Sequence, residues 1–232
     1  MEPFDLLGPL PEPATTTVLE ASAGTGKTFT LAGLVARYVA EGVATLDQML
    51  LIPFGRAASQ ELRERVRADV LERGWNEQKQ TFTQHYDTDE VDASLLLIPM
   101  VGFLPPDDPR VLGTVDAVER DLMRDGFLLR YRTESGVDGL AGDEHPFLAC
   151  SWWLVSAYAL TGQLDKGHAL MQRLCGLLND VGLVAEEYDV EGDRQASNFP
   201  QAFSHLTLIG AAYALRDAEA AAAATPDEGD PA

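Results

Sequence analysis

The chain has 232 residues, of which 46% are hydrophobic and 23% are charged. This is ordinary globular composition, so the chain is long enough to bury one large core or two small ones. No apolar run approaches the roughly 18 residues of a membrane helix, and the N-terminal sequence lacks the basic start and cleavage site of a signal peptide. We therefore expect a cytoplasmic protein with no membrane partner.

The net charge of −20 is concentrated in the second part of the chain. Through residue 75 there are 7 basic and 10 acidic side chains, and the remainder has 10 and 27. Because contacts to phosphate depend on Lys and Arg, this charge argues against nucleic acid as a partner of the second part. Cys150 and Cys175 lie in apolar helical stretches, which favours buried free thiols over a disulfide or a metal pair.

The first 74 residues alternate strands and helices. Buried strands are predicted over 15–22 and 48–54, and helices over 27–42 and 56–74, each helix ending at a glycine. The order strand, loop, helix, strand, helix is the start of a parallel α/β sheet, here a fragment with two parallel strands.

The loop between the first strand and the first helix reads ASAGTGKT and matches the Walker A pattern, except that alanine replaces its first glycine. In this pattern the backbone around Gly24, Thr25 and Gly26 encloses phosphate, Lys27 neutralises the β- and γ-phosphate oxygens, and Thr28 ligates Mg²⁺. The alternative is a simple glycine-rich turn. The flanking strand and helix favour phosphate binding, so ATP and Mg²⁺ are the expected ligands.

Residues 1 to about 70 resemble the N-terminus of RecB, a superfamily 1 helicase subunit, through FDLLGPLP, VLEASAGTGKTFTLAGL and FGRAASQELRERVR. In that family the last stretch contacts single-stranded DNA. Pro53 stands where the family has threonine, and proline cannot donate a hydrogen bond within a strand. No later strand carries the acidic pair that positions Mg²⁺, and no arginine sensor follows. Because phosphoryl transfer depends on such groups, the resemblance implies weak nucleotide binding and poor ATP hydrolysis.

After Gly74 the sequence predicts helices and loops and no buried strand. The predicted helices cover 92–103, 109–126, the hairpin 146–163 and 164–182, and 198–220. Residues 217–232, which include a polar, proline-containing end, are expected to be disordered. Paired helices with long loops suggest an α/α architecture, so the chain as a whole should be mostly helical.

Residues of about 71–216 resemble the C-terminal catalytic part of glycoside hydrolase family 15, of the glucoamylase or trehalase kind. The stretches RGWNEQKQTFTQHY, DASLLLIPMVGFLPPDDPRV, FLACSWWLVSAYALTGQLDKG and LLNDVGLVAEEYDVEGDRQASNFPQAFSHLTLI carry the resemblance. It implies a partial (α/α)6 barrel after the helicase-like fragment of residues 1–70. The implied activity is hydrolysis of α-linked glucosides, either trehalose or maltooligosaccharides.

The resemblance also implies site residues. Inverting hydrolysis uses two carboxyl groups roughly 6.5–9.5 Å apart, one protonating the leaving oxygen and one activating water. Glu186 matches the family's general base, Glu187 is expected to contact substrate, and Arg130 matches the arginine that holds sugar hydroxyls. The alternatives are a solvated acidic loop and an ordinary surface arginine.

Other candidates have structural alternatives that we favour. Trp75, Trp152 and Trp153 could stack on sugar rings. We interpret Trp75, and at least one of Trp152 and Trp153, as core-packing residues instead. His145 and His205 lack a nearby second ligand and are interpreted as structural rather than metal-binding. For Asp143 and Glu144, capping of the next helix competes with substrate contact.

The general acid is the missing element, because in the family it lies upstream of the matched part, where this chain is helicase-like. A partial barrel also leaves apolar helix faces uncovered, which favours self-association. Three hypotheses follow: an impaired α-glucoside hydrolase, an ATP-binding module with weak or no ATPase activity, and a non-functional natural or artefactual fusion. The two parts join within the predicted helix at 56–74, which either parent sequence could supply.

Overall fold

A computed structural model of the protein describes residues 8–11, 27–44, 49, 56–132 and 145–224. This part of the chain is mostly helical. It divides into two compact units, of which the first comprises Met1–Asn76 with Thr83–Asp89. The second unit comprises Glu77–Phe82 with Glu90–Ala232.

The first unit is built on two helices that pack against each other, α1 (Lys27–Ala40) and α2 (Arg56–Arg73). Both predicted helices are thus confirmed. Gly42 takes a positive φ of 65° after α1, as glycine does at many helix ends. The predicted strands over 15–22 and 48–54 lie outside the described residues. Helix α2 is continuous across the junction of the two resemblances near residue 70.

The end of α2 is tied to the residues that follow it in the first unit. The Thr83 N–H donates to the carbonyl of Gly74 over 3.0 Å. The Tyr86 hydroxyl donates to Asp69 Oδ2 over 2.8 Å, and the Arg73 guanidinium lies 4.5 Å from the centre of the Tyr86 ring. Residues 83–86 therefore pack on the last turns of α2.

The described elements after α2 are short strands, two helical segments of 4 residues and helices of 12 to 23 residues. In chain order they are β1 (Trp75–Asn76), β2 (Thr81–Phe82), a 3₁₀ turn (Ala93–Leu96), α3 (Leu97–Met100), α4 (Pro109–Leu122), β3 (Met123–Arg124), β4 (Phe127–Leu128), α5 (Leu148–Leu160), α6 (Leu164–Cys175), β5 (Glu187–Asp189), β6 (Arg194–Ala196) and α7 (Ala202–Ala224).

Helix α5 is the centre of the second unit. Most of its residues are buried, so it is apolar on all sides, as expected of a helix enclosed by others. It packs against α7 and α6 and also contacts α3, α4 and β4. The contact of α5 with α6 confirms the predicted helical hairpin. The largest fully buried side chain is Trp152.

Two sequence-based predictions for the second unit are wrong because of a short hairpin. The helix predicted over 109–126 ends at Leu122, and β3 then pairs with β4, placing Met123 opposite Leu128. Asp125 and Gly126 both have positive φ, 51° and 83°, which suits a tight hairpin turn. The expectation of no buried strand after Gly74 is therefore wrong as well. Strands of two or three residues are too short to show an alternating pattern.

Helix α7 corrects the expected disordered end. It begins at Ala202, after the predicted start at 198, and continues to Ala224. Residues 217–224 are therefore helical, consistent with their alanine content, since alanine has the highest helix propensity. Residues 225–232 lie outside the described part of the chain.

Two further expectations concern the cysteines and the membrane. Cys150 is buried, as expected, but Cys175 is exposed at the end of α6, so the prediction of two buried thiols is wrong for it. Within the described ranges, no helix combines the length and apolarity needed to cross a membrane.

Candidate active site

Glu186 lies beside the N-terminus of α5, where two extended segments meet. The Leu148 N–H donates to the Glu186 carbonyl over 2.9 Å, and the Tyr188 N–H donates to the Pro146 carbonyl over 3.2 Å. These bonds pair the segment at Glu186 with the segment that leads into α5. Since α5 is the buried centre of its unit, the backbone of Glu186 is anchored to an element that is packed on several sides.

A second set of bonds anchors Glu186 from the other side. Strand β5 pairs with β6, and the loop after β6 returns beside Glu186, where the Glu186 N–H donates to the Asn198 carbonyl over 2.9 Å. The Gln201 N–H then donates to the carbonyl of Val184 over 3.0 Å. The β5–β6 hairpin therefore positions residues 197–201 around Glu186.

The carboxylate of Glu186 accepts hydrogen bonds from this loop. Its Oε2 accepts from Ser197 Oγ at 2.9 Å, from Asn198 Nδ2 at 2.7 Å and from the Asn198 N–H at 3.4 Å. Ser197 has a φ of 63° in the left-handed region, which is unfavourable for residues other than glycine. Such outliers concentrate at functional sites because the surrounding structure must hold them.

The electrostatic balance keeps Glu186 ionised. Partial burial by itself raises the pKa of the carboxyl, but hydrogen bonds from Ser197, Asn198 and Gln201 outweigh it, so its pKa lies below the ordinary glutamate value. A half-buried carboxylate that is ionised and held in place is suited to accept a proton from water.

The two predicted substrate-binding residues are placed differently. Glu187 is half-buried in β5, opposite Ala196 of β6. Arg130 is exposed, its guanidinium lies 5.2 Å from the centre of the Tyr131 ring, and its carbonyl accepts from the Ala93 N–H. Among the described residues, no hydrogen bond or ion pair joins Arg130 to Glu186.

The tryptophans separate into core and partly exposed positions. Trp152 is fully buried in α5, so the interpretation of one of the pair as a core residue holds. Trp153 is half-buried, and its ring centre lies 5.8 Å from that of Phe203, which is 40% exposed. The ring centre of Phe147 also lies 6.0 Å from that of Phe203. Phe147 of this cluster pairs with Glu187, the residue after Glu186. Trp75, which belongs to the first unit, is half-buried.

Both candidate histidines have local partners. His145 Nδ1 lies 3.9 Å from Asp189 Oδ1. His205 Nδ1 lies 2.7 Å from the carbonyl oxygen of Gln201. No group of three potential ligands for a metal ion occurs within the described ranges. Asp143 and Glu144 lie outside them.

The predicted nucleotide site falls mostly outside the described residues. Gly24, Thr25 and Gly26 lie outside, and Lys27 and Thr28 are described only as the first two residues of α1. The helical position of Lys27 and Thr28 is compatible with the Walker A pattern, and the loop before them remains a prediction.

Sequence reasoning missed the three residues that hold the Glu186 side chain: Ser197, Asn198 and Gln201. The polar stretch SNFPQ was visible, but nothing local relates it to a glutamate 11 or 12 positions earlier. The signal was the glycine-containing turn around Gly192, which predicts a hairpin and hence a return of the chain toward Glu186.

Comparisons with known proteins divide along the same two parts. The family model described as glycosyl hydrolases family 15 matches residues 27–213. The trehalase of Mycobacterium tuberculosis is 44% identical over 158 residues, which are 68% of this chain and 23% of that protein. A solved glycosidase structure in complex with glucose covers 82% of this chain and 52% of its own, with a TM-score of 0.58 and 22% identity.

The beginning of the chain has a different relative. The RecBCD enzyme subunit RecB of Mycolicibacterium smegmatis is 84% identical over 71 residues, which are 31% of this chain and 7% of that protein. The matched segment is the first part of the chain, so it overlaps the start of the family 15 match. In the overlap the RecB relation is the stronger one, because 84% identity over 71 residues leaves little room for a second origin. The sequence is therefore a hybrid.

Proposed function

The chain belongs to glycosyl hydrolases family 15, and from this premise we propose that residues 71–216 form the base-bearing part of an α-glucoside hydrolase site. The single observation that supports this most is the Glu186 carboxylate, anchored at its backbone from two sides and held ionised by hydrogen bonds. The fold agreement with solved glycosidases is consistent with it.

The proposed reaction is inverting hydrolysis. Ionised Glu186 takes a proton from a water molecule, whose oxygen attacks the anomeric carbon while the bond to the leaving oxygen breaks. Arg130 and Glu187 are proposed to hold sugar hydroxyls. The curated relatives named trehalases favour trehalose over maltooligosaccharides as substrate.

Turnover of trehalose by this chain is proposed to be weak. The chain spans about a quarter of the length of the curated trehalases that it matches, at 23% and 24% for two of them. The region where the family carries its general acid is occupied here by RecB-like sequence. Without an acid, departure of a sugar oxygen lacks a contribution of roughly 10²–10⁴-fold.

An activated substrate separates the two carboxyl roles. Fluoride leaves α-glucosyl fluoride without protonation, so only the base is needed. We expect the chain to hydrolyse this substrate slowly, and Glu186→Gln to lower the rate by roughly 100-fold or more, measured by fluoride release. Glu191→Gln, an exposed glutamate in the same hairpin, is the matched control and should keep the rate.

Two results would contradict this assignment. Equal rates for the parent chain and Glu186→Gln would remove Glu186 as the base. Rapid trehalose hydrolysis by the purified chain would show that an acid is present after all.

A second candidate function rests on the 84% identity to RecB. We propose that backbone N–H groups around Gly24, Thr25 and Gly26, together with Lys27, hold a nucleotide phosphate and that Thr28 ligates Mg²⁺. Calorimetric titration of ATP with Mg²⁺ should show weak binding that Lys27→Ala abolishes and Lys79→Ala, in the other unit, leaves unchanged. Equal affinities for the parent chain and Lys27→Ala would rule the site out.

A further inference from the structure

The hydrogen bonds on Glu186 fall unevenly on its two carboxylate oxygens. Ser197 Oγ, Asn198 Nδ2 and the Asn198 N–H all donate to Oε2. A carboxylate offers about four lone-pair sites, two on each oxygen. Three donors therefore saturate Oε2. Oε1 has two lone-pair sites of its own, so it offers an acceptor site to water even when the Gln201 side chain also donates to the carboxylate.

Asn198 contacts Glu186 more extensively than the other members of the loop. Its carbonyl accepts from the Glu186 N–H at 2.9 Å, while its own N–H and side-chain amide donate to the Glu186 carboxylate. One residue thus fixes the backbone and the carboxylate of Glu186 together. This arrangement restricts rotation of the carboxylate relative to its own main chain.

The position of Asn198 is itself fixed. Ser197 before it has the unusual φ of 63°, and the Gln201 N–H after it donates to the Val184 carbonyl. The preceding strand β6 is paired with β5, and the following helix α7 packs on α5. Asn198 is therefore carried by a loop that is held at both ends.

We propose that Asn198 is a positioning residue that holds Oε2 of Glu186, so that Oε1 takes the proton from the attacking water. This inference rests on the proposed role of Glu186 as the base. In the step, an O–H bond of water breaks, the proton binds Oε1, the water oxygen bonds to the anomeric carbon, and the leaving group departs with its bonding electrons. With α-glucosyl fluoride the products are glucose, fluoride and protonated Glu186.

The test is a titration of Glu186 in the full chain by NMR of ¹³C-labelled glutamate side chains, with the signal assigned by its loss in Glu186→Gln. Asn198→Ala should raise the pKa of Glu186, because donors to the ionised form are removed. Asn198→Asp should raise it further, since it places a second carboxylate beside the first. The acid limb of α-glucosyl fluoride hydrolysis should move to higher pH in the same order, with a roughly 10-fold lower plateau rate.

Asn179→Ala is the matched control. The Asn179 side chain also organises a loop, by accepting from the Val181 and Leu183 N–H groups, but it has no described bond to Glu186. It should lower thermal stability without moving the Glu186 titration. A purely structural role of Asn198 would give the same pattern as this control.

An unchanged Glu186 titration in folded Asn198→Ala and Asn198→Asp would overturn the proposal. If Asn198→Ala does not fold, Asn198→Leu, which is similar in size and has no side-chain donor, takes its place, and an unchanged titration there has the same consequence. The titration needs no turnover. A shifted titration without hydrolysis of α-glucosyl fluoride would therefore count against the proposed function while supporting the contacts of Asn198.

Discussion

The two units of this hybrid differ in where their functional information lies. The nucleotide motif of the first unit is one contiguous stretch, residues 21–28. The proposed hydrolase site of the second unit combines Glu186 with a loop that returns through a hairpin. A contiguous motif can be transferred in a short fragment, whereas an assembled site needs its surrounding core.

The described parts of the two units also differ in how many apolar side chains they bury. The buried apolar side chains described in α1 and α2 are few: Ala32, Leu34, Val35 and Leu62. The second unit encloses α5 with helices and strands. Since hydrophobic burial is the dominant favourable contribution to folding, the enclosed helix α5 is the described element whose truncation should be most costly.

The largest expected effect tests that difference. Trp152→Ala removes the largest fully buried side chain of α5 and should lower the free energy of unfolding by about 3–5 kcal/mol. Chemical denaturation followed by circular dichroism measures it. Leu206→Ala, on the exposed face of α7, is the control, with a change of at most about 0.5 kcal/mol. Similar losses in both variants would mean that α5 is not the core.

A smaller effect is expected at the junction of the two parent sequences. A Cβ on Gly74 would lie 2.7 Å from the Val70 carbonyl oxygen, closer than normal packing allows. Gly74→Ala should therefore cost about 1–3 kcal/mol, detected as a lower denaturation midpoint of the first unit. Gly102→Ala tests the cost of alanine at a glycine with φ 67° and open space around it. No loss in Gly74→Ala would indicate that the end of α2 adapts.

The β5–β6 hairpin should respond to acid. A hydrogen bond from the Gly192 N–H, with charges on His145 and Arg194, outweighs desolvation and lowers the pKa of Asp189. A group with a depressed folded-state pKa stabilises the fold above its unfolded pKa, about 3.9 for aspartate, and this contribution is lost as pH falls through the folded value. Melting temperatures measured below pH 4 should fall more steeply for the parent chain than for Asp189→Asn. Parallel curves would contradict the assignment.

The smallest effect on folding concerns the exposed face of α7. Phe203, Leu206, Ile209 and Tyr213 follow helical spacing and are 40–65% exposed. Large exposed apolar patches promote association, so we expect self-association that Leu206→Asp reduces with little change in melting temperature. Sedimentation velocity over a concentration series measures it. A monomeric parent chain at all concentrations would contradict the expectation.

Agreement between sequence and structure is best where neighbouring residues decide the outcome. Helices α1 and α2 follow from apolar periodicity and glycine stops, and the α5–α6 hairpin from two amphipathic or apolar runs. The predicted end of α4 was wrong because the hairpin that follows has only two residues in each of β3 and β4, too few to show a strand pattern in the sequence. The prediction of disorder for residues 217–224 was wrong because the composition of the whole end suggested disorder, while its alanine residues extend α7 to Ala224.

The sequence by itself determined the hybrid character of the chain, the helices and the identity of Glu186 as the candidate base. These depend on local periodicity and on contiguous motifs. Only the tertiary structure decided that Ser197, Asn198 and Gln201 hold the Glu186 carboxylate, that Trp152 is core, and that Arg130 contacts Tyr131 instead. The physical reason is that the bonds on the Glu186 carboxylate and the packing around Trp152 join residues separated along the chain, and they exist only after strand pairing and helix packing have brought those residues together.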